Sequence, residues 1–103
     1  MGAYPDRATE LKQAFAAGLQ DQDANVRQAS TAGLGNLSPN AAEFLPLLMN
    51  LLNDPTPDVR LAAVDAIGKM NYVDGLRRAL SNPDSQVRAA ASGTLRAIAP
   101  REK

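Results

Sequence analysis

The phrase DQDANVRQASTAGLGNL returns as DPTPDVRLAAVDAIGKM and again as NPDSQVRAAASGTLRAI, so whatever this chain folds into is built three times over. The Val-Arg pairs of the three phrases begin at Val26, Val59 and Val87, 33 and then 28 residues apart, a period that holds one pair of helices. The segment ahead of each phrase repeats as well. Leu11, Phe44 and Tyr72 form one column, Phe15, Leu48 and Leu76 a second, and Leu19, Leu52 and Leu80 a third. Within each repeat these residues stand four apart, which places them on one face of a first helix. In the second helices the apolar face runs through Val26, Ala29, Ser30, Leu34 and Leu37, then Val59, Ala62, Ala63, Ile67 and Met70, then Val87, Ala90, Ala91, Leu95 and Ile98.

Local signals fix the register of these helices. Asp23, Thr56 and Asp84 each precede the Val by three residues, where a side-chain oxygen can cap the first turn, and Pro57 occupies a first-turn position that needs no N–H. The first helix is predicted to begin near Asp6, and that of the second repeat near Ser38 and Pro39, with Pro46 kinking or restarting it. Ala29, Ala62 and Ala90 are small enough to let each second helix approach its partner closely. Aromatic residues make up only 4% of the chain, too few for a sheet-rich core, so the expected class is all-α. An amphipathic helix pair cannot bury both its faces alone. Stacking is therefore expected to give a short α-α superhelix of three helix pairs, a single domain over 1–103 with repeats at about 6–37, 38–70 and 71–99.

These phrases resemble HEAT repeats, and the short period with DPTPDVRLAA resembles the phycobilisome-lyase class of HEAT-like repeats. The resemblance covers roughly residues 6–99. It implies a ladder between neighbouring repeats made by Asp21, Asp54 and Asn82 with Arg27, Arg60 and Arg88, in which Asn82 departs from the acidic pattern and makes the last rung a plain hydrogen bond. It also implies functions as scaffold, adaptor or bilin-lyase subunit, which fold alone does not separate.

Composition narrows the chemistry. The chain has no cysteine and no histidine, hence no thiolate nucleophile, no disulfide and none of the His-Glu iron pairs that HEAT-like hydroxylases use. Asp23 and Asp84 have a structural use as caps, Asp21 and Asp54 as ladder partners, and Asp58 in a first turn that the helix dipole favours, so the expectation is a protein that is not an enzyme and holds no cofactor or metal. Eleven basic residues balance eleven acidic ones, which argues against nucleic acid. No stretch has the apolar length of a membrane span or signal peptide, and a cytoplasmic location is the default expectation.

What remains is surface. If the second helices bury the face of Val59, Ala62, Ala63, Ile67 and Met70, their 3.6-residue period turns Leu61, Val64 and Gly68 outward. The equivalent positions are Gln28, Thr31 and Gly35 in the first repeat and Ala89, Ser92 and Arg96 in the third. The sequence thus assigns a partner-binding face to Leu61, Val64, Gly68, Gln28, Thr31 and Arg96. Charge is uneven as well: residues 76–103 hold six bases and two acids, and Arg77, Arg78, Arg96, Arg101 and Lys103 make a basic end. That end, with Pro100 and a charged tail, reads as the close of a free-standing three-repeat chain. The expected function is protein binding by an adaptor, linker or assembly factor. Through the resemblance the partner would be a phycobilisome or photosynthetic complex of a cyanobacterial kind, such as a phycobiliprotein. The alternative is a bilin-lyase subunit or chromophore chaperone.

Overall fold

The computed structural model describes residues 7–37 and 42–98. Among them the chain forms six α-helices, α1 (Arg7–Leu19), α2 (Ala24–Asn36), α3 (Leu45–Leu51), α4 (Pro57–Lys69), α5 (Val73–Ala79) and α6 (Ser85–Ile98). A single 3-10 turn, Ala42–Phe44, precedes α3. Each odd helix packs on the even helix that follows it, and the even helices lie side by side in the order α2, α4, α6. The all-α superhelix of three helix pairs is therefore the observed architecture.

Helix ends follow their local chemistry. α1 is described from Arg7, and its expected start near Asp6 lies outside the described residues. Asp23 Oδ1 accepts from the Asn25 amide at 2.9 Å and Asp84 Oδ1 from the Gln86 amide at 2.9 Å, so both aspartates cap as expected. Thr56 holds the N-cap backbone position of α4 but its hydroxyl makes no cap bond, a correction to the cap expected there. Pro46 stands in the first turn of α3, directly after the 3-10 turn ends at Phe44, which is the restart expected of it. The expected start at Ser38 and Pro39 lies outside the described residues. Between α4 and α5 the chain reverses at Asn71, whose φ of 56° is the left-handed conformation that asparagine tolerates. The Tyr72 amide then donates to the Ile67 carbonyl at 3.1 Å and the Asn71 amide to the Gly68 carbonyl at 2.9 Å, closing a Schellman motif.

The core is one column system. Leu19, Leu34, Leu48, Leu76, Val59, Ile67 and Val87 are each at most 2% exposed. Ala29, however, is exposed, and Ala62 and Ala90 are half-buried, with Ala90 packed against the core, so these alanines do not mark the tightest approaches between helices. Glycines do. A Cβ on Gly18 would strike Ser30, one on Gly33 would strike the Phe15 ring, and one on Gly35 would stand 3.1 Å from Ala66 Cα. The first two bring α1 onto α2, and the third brings α2 onto α4.

That last contact overturns the orientation expected for the second helices. Val64 is 1% exposed, Thr31 is 0% exposed, and Gly35 and Gly68 are buried. A helix in the middle of the row has a neighbour on each side as well as its partner beneath. α4 consequently buries Val64, Ala66 and Gly68 in addition to the predicted Val59, Ala63 and Ile67. Only Leu61 (half-buried), Gln28 and Arg96 (both exposed) keep accessible side chains among the six residues assigned to the binding face.

The ladder exists, with a displaced rung. Arg27 donates from Nε to Asp54 Oδ2 at 2.7 Å and from Nη2 to Asp54 Oδ1 at 3.0 Å, a two-point pair across the first repeat boundary. Its Nη1 donates to the carbonyls of Asp21 at 2.8 Å and Gln22 at 3.0 Å in its own repeat. The hydrogen bonds to Asp54 hold the Arg27 guanidinium in its charged form and raise its pKa above the ordinary arginine value. At the second boundary the residue in the place of Asp54 is Asn82. Its Oδ1 is taken by the Asp84 amide at 2.9 Å and its Nδ2 donates to the Leu52 carbonyl at 3.2 Å and Asn53 Oδ1 at 3.0 Å. A side-chain amide offers a guanidinium another donor rather than a second oxygen. Arg60 accordingly bonds Asp84 Oδ2 at 2.7 Å, two residues farther on, so the second rung is an ion pair after all. The Gln86 amide and then Arg60 stabilise the Asp84 carboxylate and lower its pKa below the ordinary 3.8.

These placements separate two substitutions of similar chemistry. Val64→Glu puts an unpaired charge into the seam and is expected to cost more than about 4 kcal/mol, enough to unfold the chain. Gln28→Glu on the exposed face of α2 is expected to change stability by less than about 0.5 kcal/mol. Urea unfolding followed by circular dichroism checks both.

Candidate functional site: a groove between α4 and α6

The even helices do not all pack equally closely. Gly35 of α2 meets Ala66 of α4, and the repeat places Gly68 of α4 opposite Thr94 of α6 in the same way. Thr94 is larger than Ala66 and is fixed by a hydrogen bond from its Oγ1 to the Ala90 carbonyl at 2.9 Å. A Cβ on Gly68 would meet Thr94 Cγ2. Threonine thus acts as a spacer where alanine allows contact, and α6 is in less extensive contact with α4 than α2 is.

An apolar groove of about 450 Å³ opens along this seam, lined by Leu61, Val64, Asp65, Ala90, Gly93, Thr94 and Ala97. A second depression of about 260 Å³ continues it past Gly68, Lys69 and Asn71 to Ile98. Val64 forms the floor and Leu61 the wall on α4. On α6 the wall is made of alanines and Gly93, around which no heavy atom lies within 4 Å of an added Cβ. This glycine is in the middle of a helix and serves no close approach among the described residues. Glycine there costs about 0.5–1 kcal/mol relative to alanine. Asp65 at the rim pairs with Lys69 at 3.3 Å, with both side chains well exposed, a surface pair readily exchanged for another cation.

The structure therefore gathers three of the six residues read from sequence, Leu61, Val64 and Gly68, along one groove, although two of them are buried beneath it. Gln28 lies on α2, and Thr31 is sealed in the α2–α4 seam with its hydroxyl donating to the Arg27 carbonyl at 2.7 Å. Arg96 lies in the last turn of α6, outside both depressions. Ala90, Gly93, Thr94 and Ala97 were missed. The signal was the mismatch between Ala66 and Thr94 at one repeat position, visible only once successive repeats are known to touch there. Among the described residues no cluster of three acids, cysteines or histidines is placed to hold a metal ion, and no helix is long and apolar enough to cross a membrane.

The sequence profile of the HEAT repeats family matches residues 11–96, and the chain belongs to that family. HEAT repeats commonly mediate contacts between proteins, which makes protein partners the general expectation for this chain. No curated protein matches it.

The open space at Gly93 carries a stability prediction. Gly93→Ala is expected to raise the stability of the chain by about 0.5–1 kcal/mol, because the methyl meets nothing and the helix loses a flexible residue. Thermal or urea unfolding of the variant beside the parent protein is the check.

Proposed function

We propose that the chain is a non-catalytic adaptor or assembly factor that holds a segment of a partner protein in the groove between α4 and α6. The observation that carries this reading is Gly93, a mid-helix glycine facing an open apolar groove with no packing use among the described residues. The occupant that fits is a helix or extended segment presenting modest apolar side chains to Leu61, Ala90 and Ala97, with a basic residue for Asp65. Large aromatic anchors do not suit a groove this shallow.

The narrower setting rests on the likeness of DPTPDVRLAA to phycobilisome-lyase HEAT-like repeats. It would make the partner a phycobiliprotein or another cytoplasmic light-harvesting subunit, and its alternative is a bilin-lyase subunit. Bilin absorbance that shifts on mixing with this chain favours the lyase reading, and an unchanged spectrum favours the adaptor.

The test is a quantitative pull-down with the parent protein, Leu61→Glu, Gly93→Arg and the control Gln28→Glu, each confirmed as helical. A protein captured by the parent and the control, and lost at least tenfold by both groove variants, is the expected result. Equal capture by all four places the partner elsewhere and overturns the proposal.

A further inference from the structure

Each boundary between repeats is made by the same parts, and the two outer faces of the array carry those parts unpaired. Leu19 and Leu52, at the ends of the first two odd helices, are 2% and 3% exposed, whereas Leu80 in the same column is 40% exposed. Val59 and Val87 are fully buried, whereas Val26 in their column is 37% exposed, and Leu11 on α1 of the same first repeat is 47% exposed. In each column only the residue at the end of the array is uncovered. The outer face of the last described repeat therefore has the make-up of a face that a neighbouring repeat covers, and so has the opposite face of the first.

The ladder is incomplete in the complementary sense. Arg88 is held by Nη1 hydrogen bonds to the carbonyls of Asn82 at 2.7 Å and Pro83 at 3.0 Å, as Arg27 is held by those of Asp21 and Gln22. In Arg27 the remaining Nε and Nη2 edge meets a carboxylate of the next repeat. The same edge of Arg88 has no carboxylate among the described residues. At the other end Asp21 Oδ1 accepts the Asp23 amide at 2.8 Å, as Asp54 Oδ1 accepts that of Thr56 at 2.9 Å. Asp54 also receives Arg27, while exposed Asp21 receives no guanidinium among the described residues. Residues 76–103 hold six bases and two acids, and residues 1–35 hold four acids and three bases, so the long-range field favours the same pairing.

We propose that a second copy of this chain stacks on the first, head to tail, its first repeat covering the last repeat of its neighbour. Arg88 of one copy then bonds Asp21 of the next as Arg27 bonds Asp54, and Leu80 covers the Val26 and Leu11 side of the neighbour. Such a contact joins two different surfaces, so it continues into longer arrays rather than closing as a dimer. It leaves the α4–α6 groove open in every copy and stands whether or not the groove holds a partner.

Sedimentation velocity of the full chain from micromolar to millimolar concentration is the measurement. The parent protein is expected to at least double its weight-average mass across that range. Asp21→Arg and Arg88→Asp, each opposing like charges across the contact, are expected to stay monomeric. An equimolar mixture of the two is expected to associate again, because every contact between unlike copies then sets one basic against one acidic side chain. Leu80→Glu, at an exposed position, is expected to stay monomeric and replaces either charge variant that proves unfolded by circular dichroism. A parent that is monomeric throughout, folded variants that associate as the parent does, or a mixture of folded charge variants that stays monomeric would each overturn the proposal.

Discussion

Arg27 divides its guanidinium between two repeats: Nη1 closes the loop of its own repeat, while Nε and Nη2 grip the carboxylate of Asp54 in the next. The Asp54 side chain is 4% exposed and that of Arg27 13%, so the pair is largely withdrawn from water. Ion pairs of this kind often add little net stability, because desolvation offsets much of the attraction. What a two-point bond supplies is register. The seam it spans closes where Gly35 meets Ala66, small residues against which neighbouring helices could settle at more than one offset. A guanidinium facing a carboxylate accepts one offset. The apolar seam holds the repeats together, and the rung decides where.

The second boundary shows how far this device bends. One exchange, Asn82 in the place of Asp54, removes the acceptor that Arg60 needs, and the bond moves to Asp84 without giving up the cap that Asp84 provides to α6. The same boundary carries Thr94 in the place of Ala66, and it is here that the groove opens. The second boundary thus differs from the first both in its rung and in the space left beside it.

Much of this was legible in the sequence. The three columns of the odd helices, the caps at Asp23 and Asp84 and the restart at Pro46 follow from spacing within a repeat, where the helical period alone decides which residues meet. The outward placement of Val64, Gly68 and Thr31 failed because a period describes one helix and its partner, and α4 also has α2 and α6 beside it. Thr94 and Gly93 were missed for the same reason, since their meaning lies in what stands opposite them in the next helix. Asn82 stands out in the sequence as a departure from the acidic column. Its consequence, a rung two residues farther along, depends on the loop backbone bringing Asp84 within reach of Arg60.

A double-mutant cycle across the first rung tests this account most directly. Urea unfolding of the parent, Arg27→Met, Asp54→Asn and the double variant gives the coupling between the two side chains. The account predicts strong non-additivity, with the double variant destabilised clearly less than the sum of the single losses, since each single change strands a partner in the seam. Additive losses would show that Arg27 and Asp54 act independently and would contradict the claim that their bond sets the register of the repeats.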